Sequence, residues 1–186
     1  MLKKFAILFA AICIVSQVSA QVRLPEKPTT YEHTEYQLNE TGFWCAAEAG
    51  ISSSLIIDGP NAQRTDISVI GGYRFNDFIR IGLGVGCNYY FNNNFALRGN
   101  RSSVTVPVFA NLRGNFMSQR VREIVPYWSV NLGANVGDGI FVSPTIGARF
   151  GELRNAWLVG VNYTLADVKG YPKAVNFIGL KLGYEF

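Results

Sequence analysis

Strict alternation of apolar and polar residues constrains this chain more than any other feature, and it is clearest between residues 174 and 186. From Ile178 to Phe186 every even position is Ile, Leu, Tyr or Phe, and every odd position is Gly, Lys or Glu. A period of two places successive side chains on opposite faces of an extended chain. The segment is therefore predicted to be a β-strand with one apolar and one polar face.

Seven more segments alternate in the same way. The eight predicted strands are 42–54, 65–75, 79–90, 103–115, 126–136, 140–150, 156–165 and 174–186. Their number is even, and their lengths are close to the ~9–11 residues that a tilted strand needs to cross a bilayer. The pattern predicts an all-β fold, namely an eight-stranded antiparallel transmembrane β-barrel.

The charged residues that we assign to these strands all fall on the polar face. They are Glu48, Arg74, Arg80, Arg113, Arg149, Lys181 and Glu185. A cationic side chain that faces lipid at mid-bilayer costs about 2–4 kcal/mol. We therefore expect the apolar face to point outward at lipid and the polar face to point into the lumen. A water-soluble ligand carrier would instead place its apolar face around an internal cavity.

Two interpretations of these seven charges are open. One is an anion-binding or anion-conducting site, and the other is a salt-bridged plug. Eight strands leave an interior just wide enough for side chains to fill, which favours the plug. The first and eighth strands must pair to close the barrel, so we expect Glu48 and Lys181 to lie at similar depth and meet across this seam. If the register slips by one residue pair, Arg74 is the next candidate partner of Glu48.

The N-terminal region is expected to lie outside the barrel. Residues 1–20 have a basic start, an apolar run and the small-residue cleavage site Val18-Ser19-Ala20, as in a cleavable signal peptide. Residues 21–41 are predicted to be a polar periplasmic lead-in, and residues 42–186 to be the barrel. Without the signal lysines the net positive charge is small, so we expect no nucleic-acid partner.

The sequence offers little material for catalysis or metal binding. Its one histidine, His33, lies in the lead-in, so no Ser–His pair can form on the barrel wall, and we expect no enzyme activity. Cys45 and Cys87 lie on strands that are not neighbours and are expected to form no disulfide. Because they lack ligand spacing, no metal or other cofactor is expected. The large aromatic residues are expected to form an interfacial belt, with these members: Trp44, Trp128, Trp157, Tyr73, Tyr89, Tyr163 and Tyr184.

Short connections agree with a barrel. Residues 76–78 and 137–139 are predicted to be three-residue hairpin loops. If both termini are periplasmic, the loops on the outside of the cell are 55–64, 91–102, 137–139 and 166–173.

Four stretches carry a resemblance to a known class of protein. GFWCAAEAG, VPVFANLRGNF, GIFVSPTIGARFG and the final LGYEF resemble the small eight-stranded outer-membrane barrels of the OmpA/OmpX type. They look most like the porin-like outer-membrane barrel family of Gram-negative gut anaerobes. The resemblance implies export to the bacterial outer membrane and a non-enzymatic structural or surface-interaction role. The alternatives are a narrow channel for small anionic solutes and, third, a lipid-modifying enzyme.

The same resemblance implies partners. They are outer-membrane lipid, a surface ligand or a larger outer-membrane protein, and the barrel assembly machinery, which reads a terminal strand that ends in an aromatic residue. The residues of this assembly signal are Leu182, Tyr184 and Phe186.

Deleting Phe186 is expected to block assembly. Because the assembly machinery reads the terminal aromatic residue, the truncated chain should accumulate unfolded in the periplasm and lose its heat-dependent gel mobility. Phe186→Tyr keeps the ring and serves as the control. Normal surface levels of the truncated chain, measured by cell-surface labelling, would contradict this role.

Overall fold

The structure is a computed structural model. It describes residues 41–55, 62–91, 103–119, 124–152, 154–168 and 174–186. The predicted signal peptide, the lead-in except Thr41, and His33 lie outside the described residues. So do most of the predicted outside loops 55–64 and 91–102, and residues 169–173 of the loop 166–173.

Eight β-strands make up the described part of the chain. They are β1 (Gly42–Ser54), β2 (Gln63–Arg74), β3 (Arg80–Tyr90), β4 (Val104–Asn115), β5 (Ile124–Val136), β6 (Ile140–Gly151), β7 (Ala156–Ala166) and β8 (Val175–Glu185). Each pairs antiparallel with the next, and β1 pairs with β8 to close the barrel. The predicted fold class, all-β with eight antiparallel strands in a closed barrel, is confirmed.

No helix in the part of the chain that the structure describes is long and apolar enough to cross a membrane.

Strand ends match the prediction or differ from it by one or two residues. The two-residue differences are at the starts of β2 and β5, where pairing extends beyond the alternating pattern. In β2, Gln63 lies opposite Ser53 although the alternation becomes clear only at Thr65. In β5, Ile124 lies opposite Phe150, so the strand begins before its predicted start at Pro126.

Exposure alternates along the strands as the period of two requires. In β7, for example, every second side chain from Ala156 to Ala166 is buried in the barrel and the others are exposed on its outer surface. The exposed side chains are mostly large and apolar, such as Leu83 at 74% and Leu180 at 67%. The core of this molecule is therefore the lumen, and its outer surface is hydrophobic.

The lumen also contains apolar side chains that the sequence analysis did not place there. Trp44 is 3% exposed and points inward, which makes its assignment to the interfacial belt wrong. Its even position on β1 gives it the same face as Glu48, and this parity decides its direction. Phe109 and Phe141 also point inward and pack edge to face at 6.0 Å. Trp157, by contrast, is 55% exposed on the outer surface.

The seam register differs from the expected one by a residue pair. Glu48 lies opposite Gly183, and Lys181 lies opposite Gly50, so Glu48 and Lys181 are not at equal depth. A slip of two residues keeps every side chain on its own face, so alternation alone cannot distinguish the two registers. Arg74, the alternative partner that such a slip suggested, contacts Glu185.

The short turns agree in part with the prediction. Residues 137–139 form the expected three-residue connection, and Gly137 adopts a φ of +96°, which favours glycine. The connection between β2 and β3 is longer than predicted, spanning 75–79 rather than 76–78. The Asn76 side-chain oxygen accepts hydrogen bonds from the backbone N–H groups of Phe78 and Ile79 at 2.9 and 2.8 Å. Because the Ile79 N–H donates to the Asn76 side chain, it is not available to a carbonyl of β2, and the pairing of β2 with β3 ends at Arg74 and Arg80.

Neither Cys45 nor Cys87 takes part in a disulfide, as expected. Cys45 lies opposite Gly71 on β2, and Cys87 opposite Ile67.

Candidate functional site

The seven predicted charged residues are joined by ion contacts inside the barrel, and we call them the charge cluster. Arg74 ends β2, Arg80 begins β3 and Glu185 ends β8, so the turns and strand termini bring them to the same end. Arg80 lies directly opposite both Arg74 and Arg113 in the ladder. Like charges opposite one another are destabilising in a sheet unless a counter-charge intervenes.

Glu185 supplies that counter-charge for four arginines. Its side chain is fully buried, and one carboxylate oxygen lies 2.6 Å from Arg74 Nη2, 3.2 Å from Arg80 Nη1 and 3.0 Å from Arg149 Nη1. The other oxygen lies 3.5 Å from Nη1 of the fourth arginine, Arg113. One carboxylate therefore joins side chains from β2, β3, β4 and β6 to β8.

Glu48 forms a second, smaller centre. Its carboxylate accepts a hydrogen bond from Arg113 Nη2 at 2.5 Å and lies 3.2 Å from Lys181 Nζ. The contact between Glu48 and Lys181 that we expected therefore exists, and the long lysine side chain spans the two-residue offset in register. The strand pattern does not predict Arg113 as the other partner of Glu48, because Arg113 reaches Glu48 across the lumen and not along the seam.

Arg113 connects the two centres. Its guanidinium contacts both carboxylates, donates from Nε to Asn111 Oδ1 at 2.8 Å, and lies 4.5 Å from the centre of the Trp44 ring. Such a contact with an aromatic face favours a cation. Its side chain is completely buried, so every one of these contacts is shielded from bulk water.

The charges of the cluster do not balance. Five cations face two carboxylates. Arg74, Arg80 and Arg149 contact the same oxygen of Glu185, so their contacting nitrogens lie within about 6 Å of one another. At that separation and an effective dielectric constant of about 20, each pair of positive charges repels by about 3 kcal/mol.

A set of hydrogen bonds ties together the turns at this end of the barrel. Asp77, in the turn between β2 and β3, accepts from Ser118 Oγ at 2.9 Å and from the Gln119 backbone N–H at 3.2 Å. Gln119 Nε2 in turn donates to the carbonyls of Gly151 and Glu152 at 2.5 and 3.0 Å. Three neighbouring turns therefore hold one another beside the cluster.

On its other side, the cluster adjoins a layer of amides and hydroxyls. Asn111 donates to Ser129 Oγ at 2.8 Å and to Asn131 Oδ1 at 2.5 Å. Asn88 donates to Asn135 Oδ1 at 3.0 Å. A cavity of about 30 Å³ lies among these polar groups and is lined also by Lys181. It has room for about two water molecules.

Two lumen charges escaped the sequence analysis. Arg64 and Asp66, both on β2, are buried, and Arg64 Nη2 lies 4.0 Å from Asp66 Oδ1. The Arg64 guanidinium also lies 4.8 Å from the centre of the Phe177 ring. Their even positions match that of Arg74 on the same strand. Parity places Asp66 in the lumen within the predicted strand 65–75, and it would have placed Arg64 there as well if the strand had been drawn from Gln63.

Among the described residues, no three His, Cys, Asp or Glu side chains are grouped so that they could hold a metal ion.

Comparison with known proteins gives structural likeness without sequence relatives. No family model matches the chain, and no curated protein matches it. The crystal structure of Neisserial surface protein A (NspA) is similar, with a TM-score of 0.59 and 17% identity, covering 78% of this chain and 97% of that one. The N-terminal β-barrel domain of Pseudomonas aeruginosa OprF matches with a TM-score of 0.45 and 13% identity, over 77% of this chain and 97% of that one. The likeness to NspA supports the barrel fold.

Replacing Glu185 with Gln is expected to destabilise the barrel strongly. The change leaves four buried guanidinium groups without their shared carboxylate, and breaking one partner out of a buried ion pair costs about 3–5 kcal/mol. Glu152→Gln, at an exposed turn position, is the matched control. The free energy of unfolding in urea, measured on protein folded into lipid vesicles, should separate the two variants. Equal stability would show that Glu185 does not hold the arginines together.

Proposed function

We propose that this chain is a transmembrane barrel of the bacterial outer membrane with a structural or surface-interaction role and no catalytic activity. One observation carries the proposal: all charged side chains on the described strands point into the lumen. They are Glu48, Arg64, Asp66, Arg74, Arg80, Arg113, Arg149, Lys181 and Glu185. The outer faces of the same strands carry Leu, Ile, Val and aromatic side chains instead.

The apolar outer surface supports a lipid environment. Leu83, Ile146 and Leu180 are each more than 60% exposed on different strands, and similar side chains surround them. Water-soluble monomers rarely expose a contiguous apolar patch larger than a few hundred Å². Barrel closure also pairs the strands with one another, which a bilayer requires because it supplies no water to unpaired backbone groups. The strands, at 11 to 13 residues, are long enough to cross.

The name of one structural neighbour agrees with this location. Neisserial surface protein A is, by its name, a surface protein, and its barrel resembles this one. For the present chain we propose export through a cleavable signal at residues 1–20, with both termini on the periplasmic side.

The lumen is proposed to be plugged. The arginines contact Glu185, the lysine contacts Glu48, and amide and hydroxyl groups form a further hydrogen-bonded layer. The excess of cations favours, as a second candidate, a narrow path for small anions. The contacts among the buried charges support the plug, because ion pairs and aromatic rings occupy the interior that a path would need.

The apolar outer surface, the outside loops and strand β8 are each proposed to bind a different partner. Outer-membrane lipid covers the apolar belt, and a surface ligand or a larger outer-membrane protein binds at the outside loops. The assembly machinery is proposed to recognise Leu182, Tyr184 and Phe186. Tyr184 packs at 4.9 Å against Trp157 on one side and Phe186 on the other, so the three rings form a continuous row on the outer face.

An arginine in the middle of the outer face is expected to destabilise the protein in lipid. Leu83→Arg places a charge on the outward face of β3 and should cost about 2–4 kcal/mol in vesicles. Phe78→Arg, in the turn at the end of the barrel, should cost about 0–1 kcal/mol, since the penalty falls near the interface. Urea unfolding of both variants measures the difference. If Leu83→Arg is neutral and the protein stays monomeric in water without detergent, the transmembrane proposal is wrong.

A plugged lumen should pass no steady current in a planar lipid bilayer. Recordings from the purified, folded protein at ±100 mV in roughly 1 M salt should show no channel openings, because buried ion pairs fill the interior. A stable open state with selectivity for anions would show that the arginines line a path, and would favour the channel.

A further inference from the structure

Two of the three guanidinium nitrogens of Arg80 have no hydrogen-bond partner in the part of the chain that the structure describes. Its Nη1 contacts both oxygens of Glu185 at 3.2 Å. Its Nε and Nη2 atoms, although buried, have no hydrogen-bond acceptor among the residues that the structure describes. The whole side chain is 1% exposed, so bulk water does not take the place of an acceptor.

The two unused nitrogens form a binding edge. In a planar guanidinium, the Nε–H and one Nη2–H point in the same direction, away from the side that carries Nη1. Such a parallel pair of donors holds an anion through two charge-assisted hydrogen bonds. Glu185 occupies the Nη1 side, so the free edge is available to a second acceptor.

The local charge favours an anion at this edge over a neutral acceptor. Arg74 and Arg149 contact the same Glu185 oxygen as Arg80, which places three guanidinium groups around one carboxylate oxygen. An arginine in a protein does not lose its proton to relieve the repulsion. Buried charges are normally paired, and the cluster as described holds five cations for two carboxylates.

We propose that the charge cluster binds one small inorganic anion at the Nε and Nη2 atoms of Arg80. The anion is a structural counter-ion that completes the cluster. A small ion suits the place because the turns beside it are tied together by Asp77 and Gln119, which restricts the space for a larger ligand. The proposed anion site lies wholly in the lumen and is therefore independent of where the protein is located.

The first test measures the free energy of unfolding as a function of bromide concentration. Ionic strength is held constant with gluconate, a larger anion that the restricted space beside Arg80 is expected to exclude. The folded, full-length mature protein should show a saturable increase. The ratio of folded to unfolded protein should rise about a hundredfold when bromide reaches 100 times its dissociation constant. Arg80→Met removes the binding edge and should abolish the bromide response. In gluconate, the Arg80→Met variant should be more stable to unfolding than the wild-type protein, because one of the mutually repelling positive charges has been removed.

Arg64→Met is the matched control. Arg64 is also a buried lumen arginine, but it lies beside Asp66 and Phe177 and is not part of the charge cluster. This variant should keep the full bromide response. An equal loss of response in both variants, or a wild-type protein with no saturable response, would overturn the proposal.

The second test does not depend on the variants. Crystals of the wild-type protein grown in sodium bromide should show an anomalous peak within hydrogen-bonding distance of both Arg80 Nε and Nη2. The absence of a peak there, or a side-chain carboxylate of this chain in its place, would overturn the proposal even if Arg80→Met fails to fold.

Discussion

The arrangement of the lumen depends on the ion contacts of one carboxylate, that of Glu185. Four arginines from β2, β3, β4 and β6 contact it. Without the Glu185 carboxylate, these four guanidinium groups would lie close together inside the barrel and repel one another. Their placement follows from the alternation of side chains, which sends every charged residue of the described strands inward. The hydrophobic exterior and the ionic interior are thus two results of one pattern, and neither could exist without barrel closure.

Much of this could be read from the sequence. A period of two predicts strands and assigns each residue to a face, which was enough to identify the seven members of the charge cluster and the direction of the apolar surface. The same rule, applied to Trp44, Arg64 and Asp66, would have placed them in the lumen as well. The error with Trp44 arose because a general preference of Trp for membrane interfaces was given more weight than its parity.

Other features could not be predicted from alternation. A shift of two residues leaves every face unchanged, so the seam register, and with it the offset between Glu48 and Lys181, depends on packing and turn geometry. Contacts across the lumen are harder still. Arg113 reaches Glu48 from β4, and such pairs depend on barrel diameter and on side-chain length, which strand patterns do not encode.

The position of Glu185 on the chain links electrostatics to the order of events in folding. The arginines on β2, β3, β4 and β6 are synthesised before the acid that joins them, and that acid ends β8, the strand whose pairing with β1 completes the ring. An open sheet of the first seven strands holds a set of mutually repelling cations. Docking of β8 therefore brings the carboxylate that the four arginines share, together with the backbone hydrogen bonds to β7 and β1, in one step. A closed ring should for this reason differ sharply in energy from an almost closed one.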